Sequence, residues 1–231
     1  MANRRAYQHD PVGYARNILG IEYLWEKQIE IVQSLRRPPY KVLVKSGHKV
    51  GKSFVGGWLV NWWYDSFEPS GCISIAPKLE HLVNILWKEV RLQRAAANVR
   101  LPDDFSGPRA PDMRSSPNHY AHGITAQKGE AVTGRHEARM LYIFDEGVGV
   151  DPIYWTAVRT MFKPDGNHSW VVFCNPTDTT SQAYLEDQSG EWTTITLSCL
   201  DHPNIAAARA GLPLPVPRAV TVGQIDDWVR S

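Results

Sequence analysis

The sequence predicts an α/β protein, a mostly parallel sheet with helices on both faces, and three observations carry that prediction. Short apolar runs alternate with helix-like segments between residues 41 and 197. One run, residues 41–45, leads into the loop Ser46-Gly47-His48-Lys49-Val50-Gly51-Lys52-Ser53, which opens a helix. Another, Leu141-Tyr142-Ile143-Phe144, ends in two adjacent carboxylates, Asp145 and Glu146.

Taken in order, residues 12–19 and 25–36 read as helices separated near Gly20, and Pro38-Pro39 stops the second. Residues 41–45 form a strand and 52–64 a helix, followed by a strand at 72–76 and a helix at 79–97. Residues 98–120 are rich in Pro, Arg, Asp and Ser and read as a loop or surface insertion. Next come a strand near 123–126, a buried strand at 140–144 and a helix near 152–162. A second buried strand at 170–174, a short helix at 182–187 and a strand at 192–197 complete the alternation. Beyond Asp201 the chain turns Ala-rich and then Pro-rich. We therefore predict a domain over 1–205 and a linker or lid over 206–231.

Composition bounds the class. Hydrophobic residues make up 43% and charged residues 21%, as in a soluble globular protein. No apolar run is long enough to span a bilayer, and the charged N-terminus lacks the apolar core of a secretory signal. Cys72, Cys174 and Cys199 lie far apart without metal-ligand spacing, which suits a reducing cytoplasm; Cys72 and Cys174 read as core residues. A net charge of +1 argues against a tight, static nucleic-acid binder and leaves room for a local patch. Trp58, Trp62 and Trp63 sit at helical spacing and are expected in the core. Arg100, Arg109 and Arg114 either touch phosphates or belong to a solvated loop.

A strand, a glycine-containing loop and a helix opening on Gly51-Lys52-Ser53 form the phosphate-binding arrangement of P-loop NTPases. Loop N–H groups and the helix N-terminus surround a polyphosphate. Lys52 would reach the outer phosphates and the Ser53 hydroxyl would bind Mg²⁺. The usual first glycine is replaced by Ser46, with Gly47 next to it. Asp145 would hold Mg²⁺ opposite Ser53, and Glu146 would act as general base toward the attacking water. At a strand end consecutive side chains diverge, so one acid addresses the metal and the other the γ-phosphate. Asn175 and Thr177, after the strand Val171-Val172-Phe173-Cys174, either sense the γ-phosphate or close an Asn-Pro turn. A Gln28 amide is able to pair with adenine, although a surface Gln is the plainer reading.

The set resembles the ATPase domain of the large terminase subunit, the packaging motor of tailed double-stranded-DNA bacteriophages. The resemblance runs from about Leu24 to Asn204. It rests on Trp25 and Gln28, the loop at 46–53, Ile75-Ala76-Pro77 with Val83-Asn84-Ile85-Leu86-Trp87-Lys88-Glu89, and Glu130-Ala131-Val132-Thr133-Gly134-Arg135-His136. It continues through residues 141–146, Gly149 and Asn175-Pro176-Thr177. It implies a RecA-like P-loop ATPase fold of the ASCE type, with ATP and Mg²⁺ as cofactors. Gln28 would recognise adenine, and residues Ser46, Gly47, His48, Lys49, Val50, Gly51, Lys52 and Ser53 would hold the phosphates. Asp145 with Ser53 would bind the metal, Glu146 would be the catalytic base, and Asn175 and Thr177 would lie in the motif coupling hydrolysis to DNA movement.

The resemblance also implies partners: double-stranded DNA, a portal protein, a small terminase subunit and a homo-oligomeric ring, expected to be a pentamer on the procapsid and possible as a monomer in isolation. The expected setting is the cytoplasm of an infected bacterium, without a membrane. A neighbour in such rings inserts an arginine finger. Arg135, Arg139 and Arg159 are candidates, and Arg135 is preferred for its place in Gly134-Arg135-His136. Family loops often carry an Arg where this chain has His48-Lys49, so the residue touching the γ-phosphate stays open. The family's nuclease domain is expected to be absent from this chain. A superfamily-2-like helicase is the alternative, disfavoured because that class needs a second RecA-like domain. A purely nucleotide-binding scaffold would have no need of Glu146.

Overall fold

The computed structural model of the chain describes residues 4–125, 137–216 and 218–230. Helices α1 (Pro11–Asn17) and α2 (Glu26–Ser34) precede strand β1 (Lys41–Ser46) and helix α3 (Lys52–Ser66). Strand β2 (Gly71–Ala76) leads into the short α4 (Leu79–His81), a π-helical turn at Leu82–Leu86 and α5 (Trp87–Ala95). Strands β3 (Asp112–Ser116), β4 (His119–Thr125) and β5 (Met140–Phe144) follow, then α6 (Pro152–Met161), β6 (His168–Cys174), α7 (Gln182–Gln188) and β7 (Thr193–Leu197). Helices α8 (Pro203–Arg209) and α9 (Val222–Arg230) come last.

The sheet order is β3-β4-β2-β5-β6-β1-β7. All neighbours run parallel except the β3–β4 edge pair. The central strands are buried on both faces, as parallel strands between helix layers must be. Val42, Val44, Leu141, Ile143, Val171 and Phe173 point to one face, where α1, α2, α3 and α5 pack. Leu43, Tyr142, Phe144, Trp170 and Val172 point to the other, against Tyr154, Trp155 and Val158 of α6. This is the period-two alternation of a pleated strand.

Local chemistry sets the helix starts. The Asp10 carboxylate accepts the Gly13 N–H at 2.7 Å and Asp151 accepts the Ile153 N–H at 2.9 Å, each ahead of a proline that needs no such acceptor. Helix α3 is buried almost all round from Val55 to Ser66, so it is a core helix. Trp58, Trp62 and Trp63 are fully buried as expected. Burial of a large apolar side chain is worth about 1.5–3 kcal/mol, and two of these indoles also donate N–H bonds, Trp58 to the Pro11 carbonyl and Trp62 to the Tyr7 carbonyl.

Two expectations change. Residues 98–120 do not form a loop throughout, because β3 and the start of β4 build an antiparallel edge hairpin there. The polar run of β3 has no apolar alternation; it is a strand because β4 supplies its partners, and charged residues suit a sheet edge. The helix predicted over 79–97 is interrupted by the π turn. The Ala- and Pro-rich tail carries two helices and docks on the core: Val220 and Asn204 are fully buried, and the Val220 N–H donates to the Lys49 carbonyl at 3.0 Å. Among the described residues no helix is long and apolar enough to cross a membrane.

Candidate active site

Strands β1, β5 and β6 end side by side, with β6 between the other two. The loop 46–53 leaves β1, Asp145-Glu146 leaves β5 and Asn175-Pro176-Thr177 leaves β6. Carboxyl ends of parallel strands are where open α/β sheets bind ligands.

The loop accommodates its unusual first residue simply. Ser46 is the last residue of β1, in ordinary strand pairing with Leu197, so no glycine is required there. The adjacent position is the restricted one. A Cβ on Gly47 would fall 2.3 Å from Cys199 Sγ. Gly51 has φ +87°, a left-handed conformation, and a Cβ on it would meet the Gln28 amide at 2.5 Å. Gly51 is the N-cap of α3 and no side chain caps that end. The first-turn N–H groups of a fifteen-residue helix therefore lack intrahelical partners and face the loop.

Lys52 donates its ammonium to the Gly47 carbonyl at 3.0 Å and to Asn175 Oδ1. The Asn175 amide in turn lies 3.2 Å from His48 Nε2. Asn175 thus joins β6 to the loop. Thr177 instead turns back on Asn175: its N–H donates to the Asn175 carbonyl at 2.8 Å. Burial lowers the Lys52 pKa, and the charge of Asp145 works against that shift.

Asp145 is 2% exposed, and its Oδ2 is buried without a hydrogen-bond partner. Burial pushes this carboxyl up, with Glu146 adding to the rise while His81 and Lys52 oppose it. A buried carboxylate oxygen lacking a donor fits a hard cation that prefers oxygen ligands. Ser53, in the first turn of α3, carries a hydroxyl that would offer a second oxygen to such a cation. Glu146 sits at φ 56°, ψ 50°, an uncommon conformation for a residue with a side chain, and such backbone gathers at functional sites.

Beside the loop lies a cavity of about 820 Å³, lined by Tyr23, Gln28, Lys52, Ser53, Glu89 and Arg218 among others. Gln28 is 7% exposed, so it is not a surface glutamine. Its Oε1 accepts the Trp25 N–H at 3.2 Å. Tyr23 and Phe54 are aromatic residues at the cavity, whereas Trp25 is buried with its ring edge-on to His202.

Of the three arginine candidates, Arg135 lies outside the described residues. The Arg139 carbonyl accepts the Gly71 N–H at the amino ends of β5 and β2, away from the loop. Arg159 is ion-paired with Glu186. Three contributors escaped the sequence reading: His81, next to both acids; Cys199, against Gly47; and the tail segment on Lys49. His81 had one available signal, its place just past the carboxyl end of a central parallel strand.

No protein-family model and no curated protein matches this chain. Solved structures do share its fold. The HK97 bacteriophage large terminase aligns with a TM-score of 0.65 at 12% identity, over 99% of this chain and 51% of that one. The large terminase of a thermophilic bacteriophage aligns at 0.61 and 15% identity, over 77% and 46%; that protein has also been solved with ADP and with ATP-γ-S. A mutant of the Thermus phage P74-26 large terminase ATPase domain aligns at 0.60 and 14% identity, over 86% and 91%. The chain therefore spans about half the length of two of these terminases and nearly all of the isolated ATPase domain. Its fold is the P-loop NTPase-like fold of large terminase ATPase domains.

Proposed function

We propose that this chain is a terminase-type motor domain that hydrolyses ATP with Mg²⁺ to move double-stranded DNA into a procapsid. The observation that carries the reading is the pairing of an uncapped, loop-fed helix N-terminus bearing Lys52 with a buried Asp145 oxygen that has no hydrogen-bond partner, beside Glu146. The first element holds polyphosphate and the second awaits a cation, and the fold is one shared with terminase ATPase domains.

In this reading the free N–H groups of α3 and the Lys52 ammonium hold the outer phosphates. Ser53 and Asp145 hold Mg²⁺, which when bound neutralises charge on the phosphoryl oxygens. Glu146 accepts a proton from the water that attacks the γ-phosphorus, giving ADP and phosphate. Asn175, already in contact with Lys52, registers the loss of the γ-phosphate in this reading. Gln28, inside the cavity wall, reads the base. The partners are duplex DNA, a portal protein, a small terminase subunit and further copies of this chain in a ring, in the cytoplasm of an infected bacterium. Arg135 is the proposed finger. Recruiting Arg159 would first require breaking its pair with Glu186.

The test is Mg²⁺-dependent ATP turnover by the chain and by Glu146→Ala. Loss of a general base is expected to lower turnover about 10²–10⁴-fold. A chain that binds ATP yet never hydrolyses it, at any protein concentration and with DNA present, would refute the catalytic reading. Turnover that rises with protein concentration and falls on Arg135→Ala would identify a finger acting between copies.

A further inference from the structure

His81 ends α4, and its ring stands between the two acids. Its Nε2 lies 3.1 Å from Glu146 Oε1 and its Nδ1 lies 3.7 Å from Asp145 Oδ2. Nδ1 and Oδ2 are both buried and lack hydrogen-bond partners. The Glu146 side chain is 50% exposed on a left-handed residue. Among the described residues the His81 imidazole is the one side chain within ion-pair distance of the Glu146 carboxylate. A half-exposed carboxylate without such a partner samples several rotamers, and a general base has to be in one of them.

The backbone explains how the histidine reaches this place. The π turn Leu82–Leu86 follows His81 immediately, and π turns inside helices gather at functional sites. The additional residue in such a turn changes the rotation of what precedes it relative to α5. His81 faces Asp145 and Glu146, while Ile85 and Glu89 farther along the same run line the cavity beside the loop. One continuous segment thus touches both the base and the wall of the nucleotide cavity.

We propose that His81 is a positioning residue that fixes the Glu146 carboxylate as base for the water that attacks the nucleotide. One carboxylate oxygen faces the imidazole, which leaves the other to receive the proton of the attacking water. The inference rests on the ATPase reading and deepens it.

Turnover and nucleotide binding are compared for the chain, His81→Ala, His81→Gln and Glu146→Ala with His81→Ala. Misplacing a reacting group by about 1 Å costs up to about 10²-fold in rate, so His81→Ala is expected to lower kcat about 10- to 100-fold. Affinity for a fluorescent ATP analogue should stay within about twofold, the signature of lost transition-state rather than ground-state interaction. His81→Gln, whose amide still donates to Glu146, should recover part of the rate. In the Glu146→Ala background the histidine change should cost nothing more. An unaltered kcat in His81→Ala overturns the inference. A chain without any turnover would sink the ATPase reading by itself. Crystal structures with an ATP analogue would then decide the positioning claim: Glu146 displaced in His81→Ala supports it, and Glu146 unmoved overturns it.

Discussion

Two buried aspartates in this chain are treated in opposite ways. Asp65, at the end of α3, is surrounded by donors: Arg4 at 3.0 Å, Arg94 at 3.1 Å and the Tyr14 hydroxyl at 2.5 Å. Asp145, at the end of β5, is buried as deeply, with an oxygen that has no hydrogen-bond partner and a histidine 3.7 Å away. A buried charge costs several kcal/mol unless it is paired. The compensated carboxylate ties the N-terminal segment and α5 to α3, and burial together with Asp65 holds the Tyr14 hydroxyl proton tightly. The less compensated one keeps an oxygen without a hydrogen-bond donor beside the phosphate loop. The difference separates a carboxylate that builds the fold from the one we propose holds a cation.

The sharpest way to test that contrast is activity. Asp145→Asn should lower Mg²⁺-ATP turnover by about 10²-fold or more, since metal stabilisation of phosphoryl charge is worth several kcal/mol. Asp65→Asn should leave turnover nearly intact at temperatures where the variant is folded, and equal losses in the two variants would erase the distinction.

Stability should reverse the ranking. Asp65→Asn strands the Arg94 guanidinium, whose side chain is 4% exposed, and is expected to cost about 3–5 kcal/mol. Thermal melting would register roughly 2–4 °C per kcal/mol for a chain of this size. A melting temperature equal to that of the parent would show that Asp65 is not the anchor described above.

The smallest expected effect carries the clearest sign. Asp145→Asn should stabilise the ligand-free chain by about 1–3 kcal/mol, because it removes a buried carboxylate whose Oδ2 has no hydrogen-bond partner. The folded-state pKa of Asp145 lies above its ordinary value of 3.8. The native chain therefore holds this proton more tightly than the unfolded chain, and the group's contribution to stability declines as pH rises through the folded pKa. The gap between variant and parent should be widest near neutrality and close as pH falls toward 3.8. Urea denaturation across that range measures it, and a gap independent of pH would count against the carboxylate as its source.

Several parts of this site were legible in order along the chain. Lys52 and Ser53 follow a strand and a Gly51 turn, and Asp145-Glu146 closes an apolar run, so local pattern was enough to place the first pair at a helix start and the second at a strand end. The core tryptophans on α3 were legible because large aromatics at helical spacing in an apolar segment fill cores. What escaped depends on contacts between distant segments. Strand β3 exists because β4 pairs with it. The inward placement of Gln28 comes from the packing of α2 against the loop, where its amide lies against Gly51. His81 reaches the acids through a π turn that no helical periodicity announces.

By itself the sequence determined the alternation of strands and helices, the phosphate loop and the acidic strand end, because these are written in spacing between neighbours. Only the tertiary structure decided which charge is satisfied and which is not. It gave Asp65 its two arginines and left Asp145 Oδ2 without a hydrogen-bond partner beside His81. The physical reason is that desolvation and pairing belong to the space around a group, filled by residues far away in the chain.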